Sequence, residues 1–592
     1  LHLSLRRQRQ MCIRDRYRYI ITLGFASLLT LGSCGEDFLY KSPQGSIDEA
    51  QLTTPDGVEL LVINAYANLT ENDWGASPFN WAMGGMYGGD ANKGSDPGDQ
   101  SVLNEMELYN TVSTNSYLNE KWKWTYKGVK RVNKALNVMD NVEALSPERK
   151  SLRTAELMFL RAMFYFESIK VFGPFIPYYD ETATDNNPMI HNDKDIYENV
   201  LADVDKAIAG LPDTQEEVGR INVWAAKGLK AKMLMQKGDM AAAKPILKDL
   251  LDNGKTNAGI RFGLQDNMST NWDTNFDNKS AESIFELQFS VDANDNGNSG
   301  MSLCYPHNSG PGGCCGFYQP SYELVNSYQV DANGLPYLNG EYRAKPSVTN
   351  KDEDKVSVND NSIAVDPRLD FAVGRLGIPY KDWGLPATDW VRNPVNGGVF
   401  MPKKHVYSKA ESDAGLGGKS FSGGWAPGSA MNIQYLSVRD AMLLYAECLA
   451  NDGDLRGAME LVNKIRKRAS LDVNIVKADG KPAANYKIAE YPSSHAAFSD
   501  KNTCIKAVRM ERKLELAMEG QRWFDLQRWG GDVMAAELKA YIDYEKKYIP
   551  KFAGASYLPA TKTMFPVPDE QILTMGNDES GKPYLVQPDA WK

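Results

Sequence analysis

The sequence predicts a mainly α-helical fold with few short strands, and three observations support this prediction. Apolar residues recur every three or four positions in several long segments, strand-like alternation is rare, and one helical hairpin pattern occurs twice. One apolar stripe lies in residues 151–172 and consists of Ala155, Met158, Ala162, Tyr165, Ile169 and Phe172. Similar spacing predicts helices over 58–69, 119–139, 195–209 and 502–529.

The clearest strand signal is the stretch ESIFELQFS, residues 282–290. Its alternating positions are Ile284, Glu286 and Gln288 on one side and Phe285, Leu287 and Phe289 on the other. This period of two is typical of a β-strand. Other strand signals are sparse and short, so we expect sheets to be a minor part of the fold.

An internal repeat predicts how the helices pair. Ala231, Gly238-Asp239 and Ala243 have the same spacing as Ala446, Gly453-Asp454 and Ala458. Small residues let two antiparallel helices approach closely and Gly-Asp makes the tight turn, as in a tetratricopeptide hairpin. The alternative is two unrelated hairpins that share a common turn dipeptide. With degenerate units at about 52–140 and 147–210, the sequence predicts four degenerate tetratricopeptide hairpins.

Two long regions rich in Gly, Asn, Asp and aromatic residues interrupt the helical pattern, at 72–100 and 255–430. Loops of this length inside a compact protein are usually functional. We therefore expect a loop-rich ligand-binding subdomain supported by the hairpins. The predicted division is a leader at 1–33, an N-terminal helical region at 34–254, a loop-rich ligand-binding insertion at 255–430, and a C-terminal helical region at 431–592.

The N-terminal segment has the layout of a secretory signal. Arg14, Arg16 and Arg18 lie just ahead of the apolar run IITLGFASLLTL at 20–31. A helix of this length would rise about 18 Å and so could not span a ~30 Å hydrocarbon core. The following Leu31-Gly32-Ser33-Cys34 looks like a bacterial lipobox, which predicts lipidation of Cys34. An ordinary signal with a chance cysteine is the alternative. The stretch QMCIRDR at 10–16 resembles translated adapter DNA, and residues before Tyr17 carry no argument.

Composition limits the classes of partner. Without residues 1–33, which hold six Arg and one Asp, 60 basic and 75 acidic residues remain, a formal net charge of −15. This charge argues against a nucleic-acid partner. Only five cysteines follow Cys34, too few for a disulfide scaffold, and no later stretch approaches eighteen apolar residues. We therefore expect attachment to the membrane through Cys34 alone.

The strongest enzyme candidate is a helix in which Glu511, Glu515 and Glu519 repeat every fourth residue. A glycosidase needs two carboxylates on facing surfaces, and one stripe on one helix supplies no facing partner. Arg512 and Arg522 can pair with these glutamates, so a structural ion network is the better interpretation. The sequence also has no His-Glu-x-x-His, Gly-x-Ser-x-Gly or phosphate-binding Gly-Lys-Ser/Thr motif. We predict that the protein is not an enzyme.

Two loop motifs bear on metals and disulfides. The stretch DANDNG at 292–297 matches the first half of an EF-hand loop, but the twelfth position is Leu303 where glutamate is required. We therefore predict no metal site and no cofactor. Cys304, Cys314 and Cys315 lie close together among aromatic residues, where a disulfide from Cys304 to one neighbour, or one between Cys314 and Cys315, could rigidify the surface. Free thiols in a packed loop are equally compatible with the sequence.

These features together resemble the SusD/RagB family of surface glycan-binding lipoproteins from Bacteroidetes. The resemblance rests on SCGEDFLYKSPQG, FLRAMFYFESIKVFGPFIPY, YLSVRDAMLLYAECLANDGD, AVRMERKLELAMEGQRWFDLQRWGG and YLPATKTMFPVPDEQI, which follow the family order from Ser33 to Ile572. It implies an all-α protein with four tetratricopeptide units, which sits as a lid on a SusC-like TonB-dependent outer-membrane transporter. Glu36-Asp37 resemble the acidic signal for the outer face, whereas Gly32-Ser33 reverse the commonest small-residue order.

The family's ligand residues do not form a motif in this sequence, so we choose candidates by the chemistry of sugar binding. Sugars stack a C–H face on aromatic rings and pair their hydroxyls with polar side chains, which favours loop aromatics beside polar residues. The nominated ligand-binding residues are Trp81, Tyr87, Asp90, Asn92, Tyr305, His307, Phe317 and Tyr318, and a second group consists of Trp272, Trp383, Trp390 and Trp425. For each of the first group, loop packing is an equal alternative.

The function implied by the resemblance is that of a lipid-anchored outer-membrane protein facing the cell exterior. It would bind oligosaccharides and deliver them to the transporter for import. A peptide-binding lid or tetratricopeptide adaptor of the same transporter class is the first alternative, and a glycosidase is the second.

Overall fold

The computed structural model describes residues 52–70, 73–183, 189–291, 297–351, 357–418 and 426–592. Three features singled out in the sequence lie outside these ranges. They are the predicted lipidation site Cys34, the acidic stretch 292–296 and Trp425.

Helices make up most of the regular structure, as predicted. The α-helices of the described residues are Pro55–Ala67 (α1), Val102–Glu107 (α2), Ser116–Asp140 (α3), Pro147–Phe172 (α4), Tyr197–Gly210 (α5), Val223–Lys237 (α6), Met240–Asn253 (α7), Tyr322–Ser327 (α8), Arg368–Ala372 (α9), Pro394–Gly397 (α10), Lys409–Asp413 (α11), Val438–Asp452 (α12), Leu455–Ala469 (α13), Lys501–Glu515 (α14), Arg522–Arg528 (α15), Gly531–Glu545 (α16) and Asp569–Met575 (α17). Trp81–Met86 forms a turn of π-helix.

Four helical hairpins form the supporting framework, which confirms the predicted repeats. The pairs are α1 with α3, α4 with α5, α6 with α7, and α12 with α13. The second helix of each hairpin packs against the first helix of the next, and α14 packs on the last hairpin. This nearest-neighbour stacking buries a continuous apolar core, as in other helical repeat proteins.

The two hairpins that the sequence repeat identified have the same turn. Gly238 and Gly453 end their helices with φ of 90° and 86°, values that favour glycine. The next residue, Asp239 or Asp454, caps the second helix by accepting a hydrogen bond from a backbone N–H three residues on. The four alanines of the repeat are fully buried, as close helix packing requires.

Strands are short and form two-stranded antiparallel sheets. They are Ala91–Gly94 (β1), Ser283–Leu287 (β2), Phe317–Pro320 (β3), Thr349–Lys351 (β4), Ser357–Asn359 (β5), Val373–Gly374 (β6), Met401–Pro402 (β7), Gly417–Gly418 (β8), Gly428–Ser429 (β9), Ile433–Ser437 (β10), Lys477–Ala478 (β11) and Lys481–Pro482 (β12). The predicted ESIFELQFS strand is confirmed as β2, which pairs with β10 across a bulge. Both faces of β2 are buried, so its alternation does not separate core from solvent.

The helix predicted over 502–529 is interrupted, and this part of the prediction is wrong. Helix α14 ends at Glu515, α15 begins at Arg522, and Met518 and Gly520 between them have φ of 65° and 68°. The break has a tertiary cause. A Cβ atom on Gly520 would lie 1.8 Å from the carbonyl oxygen of Phe79, so the chain turns there to let two backbone segments touch.

The loop-rich region between α7 and α12 has an apolar core of its own. It is built from Tyr305, Tyr380, Trp390, Val391, Met401, Val406, Tyr407 and Met431, with Trp272 and Trp383 packed against it. Strands β1 and β3 pair so that Asn92 lies opposite Gln319 and Gly94 opposite Phe317. This pairing joins the segment after α1 to the middle of the loop-rich region and fixes the relative position of the loops that flank β1 and β3.

Candidate functional site

The four residues nominated from the first loop lie in the core rather than on the surface. Trp81, Tyr87, Asp90 and Asn92 are each at most 2% exposed. The Trp81 ring contacts the rings of Tyr117, Phe317 and Tyr318, and the Tyr87 ring packs among Tyr109, Trp523 and Phe565. The expectation that these side chains are exposed for ligand stacking is therefore wrong.

The glycines of this segment explain its burial. A Cβ atom on Gly84 would lie 1.8 Å from the carbonyl oxygen of Gly520, and one on Gly85 would lie 1.9 Å from the hydroxyl of Tyr318. Both glycines therefore serve close packing rather than loop flexibility. The sequence GGMYGGDANKG at 84–94 has the composition of a loop, but tertiary contacts require that composition.

Asp90 and Asn92 hold the backbone of this segment in place. The Asp90 carboxylate accepts a hydrogen bond from the backbone N–H of Met518 at 3.1 Å, and burial raises the pKa of Asp90 to about 7. The Asn92 amide donates to the Glu545 carboxylate at 3.1 Å and accepts from the Tyr541 hydroxyl at 2.8 Å. These contacts use both polar side chains inside the protein.

Three of the four residues nominated from the second loop are also buried. Tyr305, Phe317 and Tyr318 have fully buried side chains, whereas His307 is partly exposed. Tyr318 packs against the ring of His405. Burial lowers the pKa of His405 to about 3, so the His405 ring is neutral. Of the eight nominated residues, only His307 reaches the surface. The other seven are core residues, as the loop-packing alternative predicts.

His307 lies on a surface where three loops meet, which we call the three-loop face and define as residues 95–99, 307–316 and 388–393. The backbone N–H of Ser95 donates to the carbonyl of Gly316 at 2.7 Å, and that of His307 donates to the carbonyl of Trp390 at 2.8 Å. The first bond continues the β1–β3 pairing and the second joins the other two loops, so backbone bonds fix the relative position of all three.

Asp389 and Arg392 order the polar side chains of the three-loop face. Asp389 accepts hydrogen bonds from the Ser309 hydroxyl at 2.7 Å and the Asn308 amide at 2.6 Å, and these donors lower the pKa of Asp389 below its ordinary value. The Arg392 guanidinium pairs with Asp96 at 2.7 Å and Asp99 at 2.6 Å. The side chains of Asp96, Asp99 and Arg392 remain about a third or more exposed, so the array presents oriented donors and acceptors to solvent.

Lys93 supports the first loop of this face from inside. Its side-chain ammonium donates to the backbone carbonyls of Asp96 at 3.0 Å, Pro97 at 3.4 Å and Asp99 at 2.7 Å. Burial lowers the pKa of Lys93 to about 8. One buried cation therefore holds the turn that presents Asp96 and Asp99 to Arg392.

The second group of nominated residues is mostly structural. Trp390 lies beneath the three-loop face, 5% exposed, and its indole N–H donates to the Ser309 hydroxyl at 3.2 Å. Trp272 is partly buried between the cations of Lys404 and Arg439, at 4.9 and 4.8 Å from its ring. Trp383 is also partly buried, and its N–H donates to the backbone of Tyr407.

Glu511 and Glu515 at the end of α14, and Glu519 just after it, belong to an ion network. Glu511 pairs with Arg368 and Arg466, Glu515 with Arg368 and Arg468, and Glu519 with Lys404 and Arg439. Burial raises the pKa of Glu515, but the charges of Arg468 and Arg368 outweigh this effect and hold the pKa at about 2. The predicted partners were wrong, because Arg512 pairs with Asp440 and Asp525 instead, and Arg522 pairs with Glu537. A carboxylate in this state serves as an ion-pair partner and is poorly suited to general acid catalysis.

The cysteine cluster contains a disulfide between neighbouring residues. Cys314 and Cys315 are bonded to each other, while Cys304 is free and buried. Of the arrangements that the sequence left open, the structure shows the bond between adjacent cysteines. The bridge lies on the three-loop face.

The part of the chain that the structure describes holds neither a metal-binding cluster nor a membrane-spanning helix. Within it, no group of three or more His, Cys, Asp or Glu side chains is arranged to hold a metal ion. No helix in those ranges combines the length and the apolar character that crossing a membrane would require.

Comparisons with known proteins identify the family. The SusD family model matches residues 281–578, about half of the chain. The chain belongs to the SusD family. A second model, described as "Starch-binding associating with outer membrane", matches residues 59–235, so the two SusD-related models together cover most of the hairpin framework and the loop-rich region.

Similar proteins agree with this assignment. A SusD-like protein of Bacteroides ovatus is 21% identical over 527 residues, which cover 85% of this chain and 80% of that protein. A structure described as a laminarin binding SusD-like protein has a TM-score of 0.64 at 18% identity and covers 90% of this chain and 99% of that one. Surface glycan-binding protein A from Bacteroides thetaiotaomicron, solved in complex with laminarihexaose, has a TM-score of 0.59 at 18% identity, with coverage of 90% and 99%. At this identity the two structures show a shared SusD fold.

Proposed function

We propose that this SusD-family protein binds oligosaccharides at the three-loop face and delivers them to a TonB-dependent outer-membrane transporter. Family membership carries the proposal, because two SusD-fold relatives are described as binding laminarin or laminarihexaose. The three-loop face adds a site of suitable chemistry. Sugar hydroxyls both donate and accept hydrogen bonds, and Asp389 and Arg392 offer acceptors and donors in fixed positions.

The orientation of the polar groups favours a ligand that is held without large rearrangement. The Asp389, Ser309 and Asn308 side chains already bond to one another, and Arg392 is anchored by two carboxylates. A site ordered before binding loses less conformational entropy when the ligand arrives. Moderate affinity, in the range of about micromolar to millimolar Kd, suits a protein that releases its ligand to a transporter.

Membrane attachment is proposed to occur through a lipid on Cys34, with the protein facing the cell exterior. The sequence Leu31-Gly32-Ser33-Cys34 supports this step, together with the family description of outer-membrane association. Cys34→Ser should move the protein from the membrane fraction to the soluble fraction. Undiminished attachment of this variant in cells without the transporter would contradict the proposal.

A glycan array probed with the purified chain 34–592 tests ligand class. We expect binding to oligosaccharides and no cleavage of the bound glycan over hours, as followed by chromatography. Binding to peptides alone would replace the proposal with that of a peptide-binding lid. Turnover that disappears in Glu515→Gln, with the fold intact by circular dichroism, would make the protein a glycosidase.

A further inference from the structure

The three-loop face offers many hydrogen-bonding groups, and of its proline and valine side chains Pro97 is exposed whereas Pro311 and Val391 are buried. It carries two aromatic rings, of which Trp390 is 5% exposed and His307 is partly exposed. A sugar ring has a flat C–H face that needs an apolar partner if binding is to exclude water. If the face binds sugar, its remaining candidates for that partner are Pro97 at the tip of the first loop and the disulfide of the second loop.

The Cys314–Cys315 disulfide is the group with the required shape and position. The bond closes a small ring through the peptide link between the two residues, which makes a compact plate of carbon and polarisable sulfur. Cys314 is partly exposed, whereas Cys315 is 6% exposed and anchors the plate to the core. The plate is therefore open on one side and supported on the other.

Glycines flank this plate on both sides along the chain, so its sequence neighbours do not cover the partly exposed Cys314. The local sequence is Gly312-Gly313-Cys314-Cys315-Gly316, and the three glycines have φ of 81°, 60° and 73°. No side chain on either neighbour can fold over the sulfurs. On the far side of Gly316, a Cβ atom would lie 3.3 Å from the Cβ of His307 and 3.4 Å from that of Arg392, so the plate adjoins the polar array.

We infer that the Cys314–Cys315 disulfide is the apolar subsite of the three-loop face, on which the C–H face of a neutral sugar ring rests. The inference depends on the proposed function. Neutrality follows from charge. The three-loop face carries the carboxylates Asp96, Asp99 and Asp389, against which stand Arg392 and, beneath the first loop, the ammonium of Lys93. The net excess of one carboxylate disfavours sulfated or uronic-acid sugars. Hydroxyls at the edge of the sugar ring would reach Asp389 and Arg392.

The test compares glycan binding with the disulfide intact, reduced and removed. The ligand is a neutral oligosaccharide that the array identifies, titrated by calorimetry into the oxidised chain 34–592. We expect the double substitution Cys314→Ala with Cys315→Ala, and reduction by a phosphine, each to weaken binding about tenfold. Mass spectrometry after alkylation verifies the redox state. The reductant should not change glycan binding by the double variant, because the other cysteines of the described residues, Cys304, Cys448 and Cys504, are free.

A second readout separates a ligand subsite from a merely structural bond. In saturation-transfer NMR, the ring C–H protons of one sugar unit should receive the strongest transfer from the oxidised protein, and this pattern should vanish on reduction. Unchanged affinity and transfer after reduction would overturn the inference, while glycan binding itself would still support the proposed function. If the double variant loses thermal stability, the reduced wild-type chain decides. A wild-type chain that binds no glycan overturns both proposals.

Discussion

Glu167 gives the sharpest test of how the core positions the three-loop face. Its carboxylate is fully buried and pairs with Lys121 at 2.9 Å and Lys170 at 2.6 Å. It also accepts hydrogen bonds from the Tyr435 hydroxyl at 2.6 Å and the Asn80 amide at 2.8 Å. These partners lie on α3, α4, β10 and the segment before β1, so one carboxylate links the hairpins to the segment that leads to the face.

The change Glu167→Gln should be strongly destabilising. Burial raises the pKa of Glu167, but the charges of Lys121 and Lys170 outweigh this effect and hold the pKa well below its ordinary value. The native Glu167 is therefore an anion that faces two buried cations. Removing its charge leaves both cations uncompensated, which typically costs about 3–5 kcal/mol. The folded-state pKa is depressed, so this stabilisation is present above the unfolded-state pKa and is lost as pH falls towards the folded-state value.

Urea denaturation followed by circular dichroism at pH 7 measures the effect. The matched control is Glu570→Gln, which breaks the ion pair with Lys123, where both side chains are more than half exposed. That pair should contribute at most about 1 kcal/mol. Equal urea midpoints for Glu167→Gln and Glu570→Gln would refute the reasoning, because they would mean that the buried cluster contributes no more than a surface pair.

Three further predictions concern packing, pH dependence and loop support. Gly84→Ala should destabilise the fold by about 1–3 kcal/mol, because its Cβ would lie 1.8 Å from a backbone oxygen, while Gly98→Ala, with open space around it, should be nearly neutral in the same urea titration. Burial raises the pKa of Glu545 to about 8, so the fold favours the neutral carboxyl and loses stability as pH rises from about 5 to 8. Glu545→Gln should reduce this loss, and an unchanged pH profile of the unfolding free energy would contradict the prediction. Lys93→Met should weaken glycan binding about threefold with little change in melting temperature, because three backbone carbonyls lose their donor, and calorimetry beside a thermal melt checks both parts.

Much of the framework could be predicted because its signals are local. The stripe from Ala155 to Phe172 identifies the core of α4, and Gly238-Asp239 identifies a hairpin turn through its left-handed glycine and its capping aspartate. The break between α14 and α15 could not be predicted in the same way. It depends on contact between Gly520 and Phe79, which are far apart in sequence.

The site was harder to predict because a glycine-rich, aromatic sequence occurs both in exposed loops and in tightly packed cores. Gly84 and Gly85 have the appearance of loop residues, yet they allow Trp81 and Tyr318 to pack inside the protein. Aromatic content therefore pointed to the core rather than to the surface. Asp389 and Arg392 gave no pattern along the chain, and only the pairing of distant segments brings Arg392 beside Asp99. The sequence around the cysteine pair predicts His307 as a site residue but gives no sign of Asp389 and Arg392.

Calorimetric titration of the Arg392→Ala variant of chain 34–592 tests the central claim most directly. Arg392 lies at the centre of the three-loop face, so its removal should weaken binding of the array-identified oligosaccharide at least about tenfold, or 1.4 kcal/mol. The matched control is Arg456→Ala, which removes an exposed ion-paired arginine on α13 and should bind as the wild type does. Wild-type affinity in Arg392→Ala, with equal melting temperatures for both variants, would contradict the account and place the glycan site elsewhere on the protein.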